Sequence, residues 1–482
     1  MRKRERTTIV RKERLLGLML ILLVCTAAGT VPCEGQETFP VRAPAALPGT
    51  TEDMLSPDFW IDRVDNPDHV LMTLPQIGEL NGKNAVRVIP GDHPYARSIA
   101  RIERDGPSFQ RMDPLGLGDS YRLDTVRERL TVNNERLMKG TFYDYWALPL
   151  TDGKKAEYLE AVNLEALPVT VKPQTAMIVR HTSARLYPTP ETAYRSRGYL
   201  DDNNVTSLDI GMPAAILHAS KNADYYFVMT PIAWGWVPAT DIAVCDPDEI
   251  HEYRESGELV VVTDHKVPVY ASGSPAGGSP APVHAGYAYM GERLPLVRKT
   301  AQGYVVRLPG REFDGSLTMN EGIILDGEGV HEGFLPYTQR NAITTAFKLL
   351  ERPYGWHDSW GERDCGGIMR VIFNCFGFTL PRYWSFEQLC SDHATYVGEV
   401  ESIDEKNKML CSMPAGVTFT GTTGHISLYL GNVDGVPYSI HQCGWNYKEG
   451  GTEYKMARVV VSAYQYIGYD MKRIGFFTPI IP

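Results

Sequence analysis

The sequence predicts a multi-domain protein in which a mainly helical N-terminal segment precedes two small β-barrels and a C-terminal α+β domain. Three observations support this fold class. The chain has 482 residues, which is too long for one ordinary hydrophobic core. Two strand-rich segments of similar pattern lie in its middle, and after residue 338 the pattern changes to helices followed by strands.

The first 35 residues have the composition of an export signal. Seven Lys and Arg residues fall within the first 14 positions, and the nearly apolar stretch 15–24 follows them. About ten apolar residues suit a signal peptide and fall short of the roughly 20 that span a bilayer. An uncleaved anchor is the alternative. We therefore expect an exported protein, periplasmic or associated with the cell envelope, that touches a membrane only through such an N-terminal anchor.

Composition and charge exclude several classes of protein. The net charge is −10, so the chain lacks the positive field that nucleic-acid binding needs. The eight cysteines include no C-x-x-C pair and no Cys/His spacing typical of a zinc site, so we expect no metal and no cofactor. A disulfide between Cys390 and Cys411 is compatible with the sequence, although the sequence does not assign it.

Residues 36–55 begin with a stretch rich in Pro and Ala and are predicted to form a linker. A mainly helical domain is expected at 56–170. The pair Ser56-Pro57 predicts the start of its first helix, because Ser caps a helix and Pro fits the first turn. A second helix is predicted over 68–80.

The two β-barrels are predicted at 171–248 and 258–338, from a weak internal repeat. Each copy has an apolar strand, a turn, an aromatic strand and a closing Gly-aromatic-aliphatic-Pro pattern. The repeated strands lie at 184–188, 225–228 and 234–238 in the first copy and at 267–270, 303–306 and 332–336 in the second. Short strands at this spacing, separated by Gly and Pro turns, favour small barrels.

The segment 339–482 is predicted to be the α+β domain. Apolar residues recur at helical spacing over 342–350, and a second amphipathic helix begins at or next to Cys365. Two alternating strands are predicted later in the segment, at 424–430 and 438–443. Helices first and strands afterwards indicate an α+β arrangement.

Cys365 is the candidate nucleophile because of its place at this predicted helix start. The positive end of the helix dipole and the N–H groups there favour the thiolate, which is the reactive form. Asp364 precedes it, and Gly366 and Gly367 follow, which allows another chain to approach closely. A structural cysteine is the alternative, as we expect for Cys375 among apolar neighbours.

Two histidines supply the other parts that thiol chemistry needs. His425 begins a strand and shares one face with Ser427 and Tyr429, whereas the apolar residues of the opposite face suffice to bury the strand. His441 lies 16 residues later in the next strand, a spacing that suits adjacent antiparallel strands. The set predicts Cys365 as nucleophile, His425 as base and His441 as the group that orients the base. A histidine without a catalytic role is the alternative at either position.

These motifs resemble those of the NlpC-type bacterial cell-wall cysteine peptidases, a papain-like class. The residues that carry the resemblance are Pro353-Tyr354-Gly355-Trp356, Arg363-Asp364-Cys365, Gly424-His425-Ile426-Ser427-Leu428-Tyr429-Leu430-Gly431 and Ser439-Ile440-His441. The helical N-terminal segment and the two barrels, which resemble bacterial SH3-like domains, extend the likeness over nearly the whole mature chain.

The resemblance implies hydrolysis of the γ-D-glutamyl bond to a diamino acid, meso-diaminopimelate or lysine, in peptidoglycan stem peptides or murein fragments. It also implies a free N-terminal L-Ala on the substrate, because in such enzymes a barrel wall closes one end of the cleft; we expect the first barrel to do so here. The residues concerned are Cys365, His425 and His441 in catalysis, and Tyr354, Asp364 and Gly366 at the substrate site.

Two departures from the family pattern affect this expectation. The family usually has Ser after the nucleophile, where this chain has Gly366, and Gly-Gly after the Trp, where this chain has His357-Asp358. Both slightly favour an alternative function, a catalytically weak or inactive peptidoglycan-binding protein that uses its SH3-like domains. An acyltransferase or amidase on the same fold is a third hypothesis, because amines as well as water can resolve a thioester.

Overall fold

The computed structural model describes residues 41–85, 121–122, 124–195, 200–271, 284–327, 329–380, 382, 390–422, 424–464 and 471–482. The predicted signal peptide lies outside the described residues. Nearly all of the described chain belongs to one compact unit, Arg42–Tyr447 with Lys455–Pro482; of the described residues, Val41 and Lys448–Tyr454 belong to the other unit. None of the described helices is both long and apolar enough to cross a bilayer.

Helices precede the first large sheet, connect the sheets and alternate with strands in the last third of the chain. Those in the described residues are α1 (Pro57–Ile61), α2 (Leu74–Ala85), α3 (Asp124–Lys139), α4 (Asp152–Val162), α5 (Pro247–Arg254), α6 (Gln339–Phe347), α7 (Cys365–Asn374) and α8 (Ile403–Cys411). Three short strands lie before the first large sheet: β1 (Val41–Arg42), β2 (Tyr121–Arg122) and β3 (Thr170–Val171).

The first helix begins where the sequence predicts. The Ser56 hydroxyl accepts a hydrogen bond from the N–H of Asp58 over 3.3 Å and so caps α1. Trp60 on α1 is fully buried, and its Nε1 donates to the carbonyl of Met54 over 2.8 Å. The capped turn therefore anchors the start of the described chain in the hydrophobic core that contains α7.

The second helix differs from its prediction, because α2 begins at Leu74 instead of residue 68. Leu71 donates its N–H to the carbonyl of Tyr337 over 2.9 Å, and Met72 forms a β-bridge with the same residue. This pairing with a distant part of the chain holds the segment before α2 in an extended conformation. A helical pattern in the local sequence gives no sign of such a partner.

The predicted first barrel falls on a seven-stranded antiparallel sheet. Its strands are β4 (Gln174–Ile178), β5 (Thr182–Arg185), β6 (Asn204–Leu208), β7 (Pro213–Ala219), β8 (Tyr225–Met229), β9 (Trp234–Pro238) and β10 (Ile242–Val244). Their order across the sheet is β10-β4-β7-β8-β9-β5-β6. The strands predicted at 225–228 and 234–238 are neighbours in it, with Phe227 opposite Trp236.

A second seven-stranded antiparallel sheet follows. Its strands are β11 (Leu259–Val262), β12 (Lys266–Ala271), β13 (His284–Tyr289), β14 (Arg293–Thr300), β15 (Gly303–Arg311), β16 (Leu317–Leu325) and β17 (Val330–Glu332). Their order is β13-β12-β16-β15-β14-β11-β17. Read from its other edge, this order repeats that of the first sheet strand for strand. The two sheets are therefore two copies of one topology, as the internal repeat indicates, and an SH3-like barrel at 258–338 stays a prediction.

The C-terminal segment is α+β, as expected. Its strands are β18 (Thr395–Tyr396), β19 (Thr418–Thr422), β20 (His425–Val433), β21 (Val436–Cys443), β22 (Asn446–Glu449), β23 (Thr452–Lys455), β24 (Arg458–Ala463) and β25 (Phe476–Pro479). Six of them form a sheet in the order β18-β25-β19-β20-β21-β24. Helix α7 packs on β20 and β21 through fully buried residues such as Ile368, Leu428 and Ile440. This packing brings the start of α7 to the histidine strands.

The described cysteines form no disulfide. Cys390 and Cys411, whose pairing the sequence leaves open, are therefore not bonded to each other. Cys390 lies fully inside the hydrophobic core around α7, whereas Cys411 ends α8 and is partly exposed, with its Sγ 3.7 Å from the carbonyl of Gly435. Cys375 is fully buried at the end of α7, in agreement with the packing role expected for it.

Candidate active site

The start of α7 carries Cys365. Asp364 precedes the helix, and its Oδ1 accepts a hydrogen bond from the N–H of Gly367 over 2.9 Å, which is the bond of an N-cap. The cap fixes the first turn, where N–H groups without a helical partner and the helix dipole favour a negative thiolate. Cys365 itself is only partly buried, whereas Gly366 beside it is buried.

A chain of polar side chains crosses strands β20, β21 and β24. Nε2 of His425 lies 2.9 Å from Nδ1 of His441, and Nε2 of His441 lies 2.9 Å from Oγ of Ser462. The antiparallel pairing expected of the two histidine strands is confirmed, with Leu428 opposite Ile440. The hydrogen bond to Ser462 fixes the orientation of the His441 ring, and His441 in turn fixes that of His425.

Both histidines are buried, with His425 6% and His441 0% exposed. Burial, and next the charge of His441, hold the pKa of His425 well below its ordinary value. Burial alone lowers the pKa of His441 to about 3. Both rings are therefore neutral near pH 7, which leaves His425 able to accept a proton, and the same burial makes each ring a weaker base. The ring of Trp445 covers the pair, with centroids 4.6 Å from His425 and 5.8 Å from His441.

The polar face of β20 is as well buried as its apolar face, which the strand pattern does not show. Ser427 and Tyr429 are 0% and 1% exposed. The hydroxyl of Ser427 lies 2.7 Å from that of Thr420, which lies 2.9 Å from the hydroxyl of Tyr464. The hydroxyl groups on this face are hydrogen-bonded to one another within the protein. His425 therefore begins a strand that is buried on both faces.

The buried histidines predict that the protein loses stability as the pH falls below 6.5. The unfolded chain protonates His441 near its ordinary pKa of 6.5, but the folded chain does so only near 3. Between these values the unfolded state binds more protons, so the free energy of unfolding rises with pH by up to about 1.4 kcal/mol per pH unit for each such histidine. Urea unfolding across this window measures the slope.

The matched variants for this measurement are His441→Gln and His69→Gln, since His69 is exposed. The first variant should flatten the slope of the free energy of unfolding against pH, and the second should leave the slope unchanged. Equal slopes for the native protein and His441→Gln would mean that His441 does not titrate as the burial of its ring requires.

The three residues predicted to line the substrate site lie around the start of α7. Burial raises the pKa of Tyr354, and the nearby charges of Asp364 and Cys365 raise it further, so the phenol lies close to both. Gly444 packs against the Tyr354 ring, since a Cβ there would lie 2.9 Å from the ring. Asp364 and Gly366 flank Cys365 in the chain, and the contact of all three residues with a substrate stays a prediction.

A buried ion-pair network holds the N-cap of α7. Arg382 donates from Nη2 to Asp364 Oδ2 over 2.6 Å, and its Nε lies 3.3 Å from Asp358 Oδ2. Asp358 also accepts from the Thr206 hydroxyl over 2.8 Å and from the N–H of Asp364 over 3.4 Å. A Cβ at Gly367 would lie 1.9 Å from Asp358 Oδ1, so only glycine fits beside this carboxylate. Asp358 thus packs directly against the nucleophile helix.

Strand β6 of the first sheet contacts the loop before Cys365. That loop contains the 3₁₀ segment Trp356–Gly361. Nδ2 of Asn204 donates to the carbonyl of His357 over 2.6 Å, and Nδ1 of His357 lies 2.6 Å from the carbonyl of Asn204. The φ angles of His357 and Asp358 are 51° and 62°, which is uncommon for residues other than glycine. The His357-Asp358 departure therefore builds a contact between the first sheet and the active-site loop.

Sequence reasoning misses several residues of this arrangement. Thr206 and Asp358 are 152 residues apart, so no local pattern connects them. The sequence marks Asp358 only as a departure from the family pattern, and it carries no signal for Arg382. The one signal for Ser462 is a hydroxyl that follows the apolar run Val459-Val460-Val461.

His181, Asp209 and Glu292 bring potential metal ligands within 4.8 Å of one another. Asp209 accepts from Nη1 of Arg370 over 2.6 Å, and Glu292 Oε2 accepts from the N–H of Tyr289 over 3.0 Å. A guanidinium group bound to one of the carboxylates repels a metal ion. Hydrogen bonds within the protein therefore account for this cluster, and the expectation of no metal stays a prediction.

Comparison with known proteins gives two kinds of likeness. A family profile described as SH3 domain (SH3b1 type) matches residues 185–238. The chain is similar to the structure of an NlpC/P60 endopeptidase from Photobacterium damselae subsp. piscicida, with 16% identity, a TM-score of 0.68 and coverage of 92% of this chain and 98% of that chain. It also resembles an NlpC/P60 family protein from Bacillus cereus, with 16% identity, a TM-score of 0.44 and coverage of 64% and 100%. A search of curated proteins found no match.

The first of these structures defines the class of fold. A TM-score of 0.68 over 92% of the chain shows the architecture of an NlpC/P60 endopeptidase. The profile match lies within the first seven-stranded sheet and identifies it as a bacterial SH3-type domain. The resemblance drawn from the motifs is therefore confirmed as an NlpC-type peptidase fold that carries an SH3-like domain.

Proposed function

We propose that the chain is a cysteine peptidase that hydrolyses peptidoglycan peptides at the γ-D-glutamyl bond to a diamino acid, meso-diaminopimelate or lysine. One observation carries the proposal: α7 starts at Cys365 behind a side-chain cap and packs on the strands that hold the hydrogen-bonded pair His425 and His441. These are the nucleophile, the base and the orienting group of thiol catalysis. The NlpC/P60 endopeptidase fold supports the class of substrate.

In the acylation step, the thiol of Cys365 gives its proton to Nδ1 of His425. Nε2 of that ring lies 2.9 Å from His441, so Nδ1 is the nitrogen assigned to the thiol. The sulfur attacks the γ-carbonyl carbon of D-Glu, and backbone N–H groups, including that of Cys365, stabilise the negative oxygen. The C–N bond then breaks, His425 returns the proton to the leaving amine, and an L-Ala-D-Glu thioester remains on Cys365.

In the deacylation step, a water molecule gives a proton to His425 and attacks the thioester carbon. The C–S bond breaks, the sulfur recovers the proton, and L-Ala-D-Glu leaves as the free acid. His441 keeps Nε2 of His425 hydrogen-bonded throughout, and Ser462 holds His441 in the same way from the other side at 2.9 Å. No cofactor takes part in either step.

The two seven-stranded sheets supply the binding part of the proposal. We assign the second sheet as a second SH3-like domain, since its strand order repeats that of the first. The contact of Asn204 and Thr206 with the loop at His357 and Asp358 supports a role for the first domain as the wall of one end of the cleft. Such a wall selects fragments with a free N-terminal L-Ala, which an exported, envelope-associated enzyme would meet.

A panel of synthetic peptides tests this function. L-Ala-γ-D-Glu-meso-diaminopimelate, its lysine analogue and its N-acetylated form are each incubated with the mature protein, and the products are identified by liquid chromatography and mass spectrometry. We expect L-Ala-D-Glu from the peptides with a free amino terminus and slower cleavage of the N-acetylated peptide, because the proposed wall would leave no room beyond L-Ala.

Two outcomes would replace the proposal. If every peptide stays intact but binds to the folded protein in calorimetry, the chain is a peptidoglycan-binding protein, the alternative that Gly366 favours. If L-Ala-D-Glu is transferred to added amines and is not released by hydrolysis, the chain is an acyltransferase. Equal cleavage of the free and N-acetylated peptides would support the peptidase activity and contradict the proposed role of the first domain in selecting a free amino terminus.

A further inference from the structure

A cavity lies between the two sheets, α5 and α7, toward the end of α7 that is opposite Cys365. Its wall includes Met212, Ile232, Arg254, Arg293, Arg370 and Asn374. Its enclosed volume is about 80 Å³, well below the roughly 300–1,000 Å³ of sites for drug-sized ligands, so it has room only for a small chemical group. The proposed peptidase mechanism makes no use of this cavity.

The acidic groups of this wall are already engaged. Asp209 Oδ2 accepts from Arg370 over 2.6 Å. Glu292 Oε1 lies 3.0 Å from Nδ1 of His181, and its Oε2 accepts from the N–H of Tyr289 over 3.0 Å. These bonds neutralise Arg370 and satisfy Glu292 within the protein. The positively charged side chains of this wall that are bonded to no carboxylate are therefore others.

Those side chains are Arg254, in the last turn of α5, and Arg293, at the start of β14. Both line the cavity and both are partly exposed. In the described part of the chain, no hydrogen bond or ion pair engages either guanidinium group. The negative charge of Glu255 acts on both groups, but its carboxylate is exposed and lies 3.3 Å from Nε2 of His251.

Two like charges that share a partly desolvated cavity destabilise each other. Burial lowers the pKa of Arg254 to about 9, and the charge of Arg293 is the second cause. The pKa of Arg293 is also lowered by burial. The dipole of α5 favours a cation in its last turn and so accounts for Arg254. It does not account for a second arginine on a strand that faces the same space.

We propose that this cavity is a binding site for a small oxyanion, a phosphate or carboxylate group held between Arg254 and Arg293. The planar guanidinium group offers paired N–H donors that match the oxygens of such groups. A phosphate dianion there neutralises both charges, and a carboxylate neutralises one of them. Because Asn374 and Arg370 of α7 belong to the same wall, the bound anion would also join α7 to α5 and β14.

The test is titration calorimetry on the full mature chain with sodium phosphate and, separately, sodium D-glutamate, each against sodium chloride at matched ionic strength. We expect saturable binding of at least one probe, and the tighter one identifies the source of the oxyanion. Arg254→Gln and Arg293→Gln should each weaken binding by about tenfold to a hundredfold, the value of charge-assisted hydrogen bonds. Arg340→Gln, an exposed arginine paired with Asp68, should bind as the native protein does.

Thermal melting, with and without added anion, shows whether each variant is folded and so separates loss of binding from loss of structure. Arg254→Gln removes one of two repelling charges, so it should melt no lower than the native protein while losing the stabilisation that phosphate or D-glutamate confers. The proposal is overturned if neither probe binds saturably, or if both probes bind the Arg254→Gln and Arg293→Gln variants as tightly as the native chain.

Discussion

Replacing His425 by alanine should lower the rate of peptide hydrolysis by about 10⁴-fold while the protein stays folded, since proton transfer by a positioned base and its partners contributes on this scale. His425 lies on a strand that packs against α7, and its Nε2 is fixed at 2.9 Å from His441, which leaves Nδ1 for the thiol. Without it the thiol of Cys365 has no neutral imidazole to take its proton. Steady-state cleavage of the free tripeptide measures the loss.

Two further variants show whether a loss of activity comes from the loss of the base itself. His441→Gln removes the ring that orients His425 but leaves the base, so its rate should fall less than that of His425→Ala, and its pH–rate profile should shift. His69→Ala changes an exposed histidine and should leave the rate unchanged. A His425→Ala protein that cleaves at the native rate would remove His425 from the mechanism.

Replacing Arg382 by glutamine should lower the free energy of unfolding by about 3–5 kcal/mol, because it leaves buried carboxylates without their counter-charge. The side chain of Arg382 is 7% exposed, and those of Asp358 and Asp364 are 0% and 7% exposed. Asp364 is also the cap of α7, so a disturbed carboxylate should slow hydrolysis as well. Urea unfolding and cleavage rates on the same preparations measure both effects.

An exposed ion pair of the same kind is the control. Arg340 and Asp68 have side chains 42% and 67% exposed, so Arg340→Gln should cost less than about 1 kcal/mol. Asp358→Asn keeps the shape of the buried side chain and removes its charge, which separates the ion pair from packing. If Arg382→Gln were as stable as Arg340→Gln, the buried network would not hold the start of α7.

The parts of the site that the sequence predicts are those that rest on short-range patterns. The helical spacing of apolar residues after Cys365 is a local signal, and so is the alternation of apolar and polar residues around His425 and His441. The structure contains this helix and both strands. The chain does not reveal Arg382 or Thr206, because their roles come from contacts with residues far away in sequence. The pairing register of β21 and β24 likewise places Ser462 beside His441, and no local sequence pattern determines this register.

The predictions that were wrong also failed because of contacts with residues far away in sequence. α2 starts late because Leu71 pairs with Tyr337, and the hydroxyl face of β20 is buried because Thr420 and Tyr464 cover it. The strand orders of the two sheets could not be read from the sequence, yet the weak repeat correctly indicated two related units. Local patterns thus predict elements and their succession, whereas long-range contacts decide boundaries, burial and the polar networks of the site.

The most direct test of the thiol-peptidase account is mass spectrometry of L-Ala-γ-D-Glu-meso-diaminopimelate after incubation with the native protein and, in parallel, with a folded Cys365→Ala variant. A Cys411→Ala variant, which changes a partly exposed cysteine at the end of α8, serves as the control. We predict release of L-Ala-D-Glu by the native protein and by Cys411→Ala, and none by Cys365→Ala. An intact tripeptide with the folded native protein, or equal release by the native and Cys365→Ala proteins, would contradict the account.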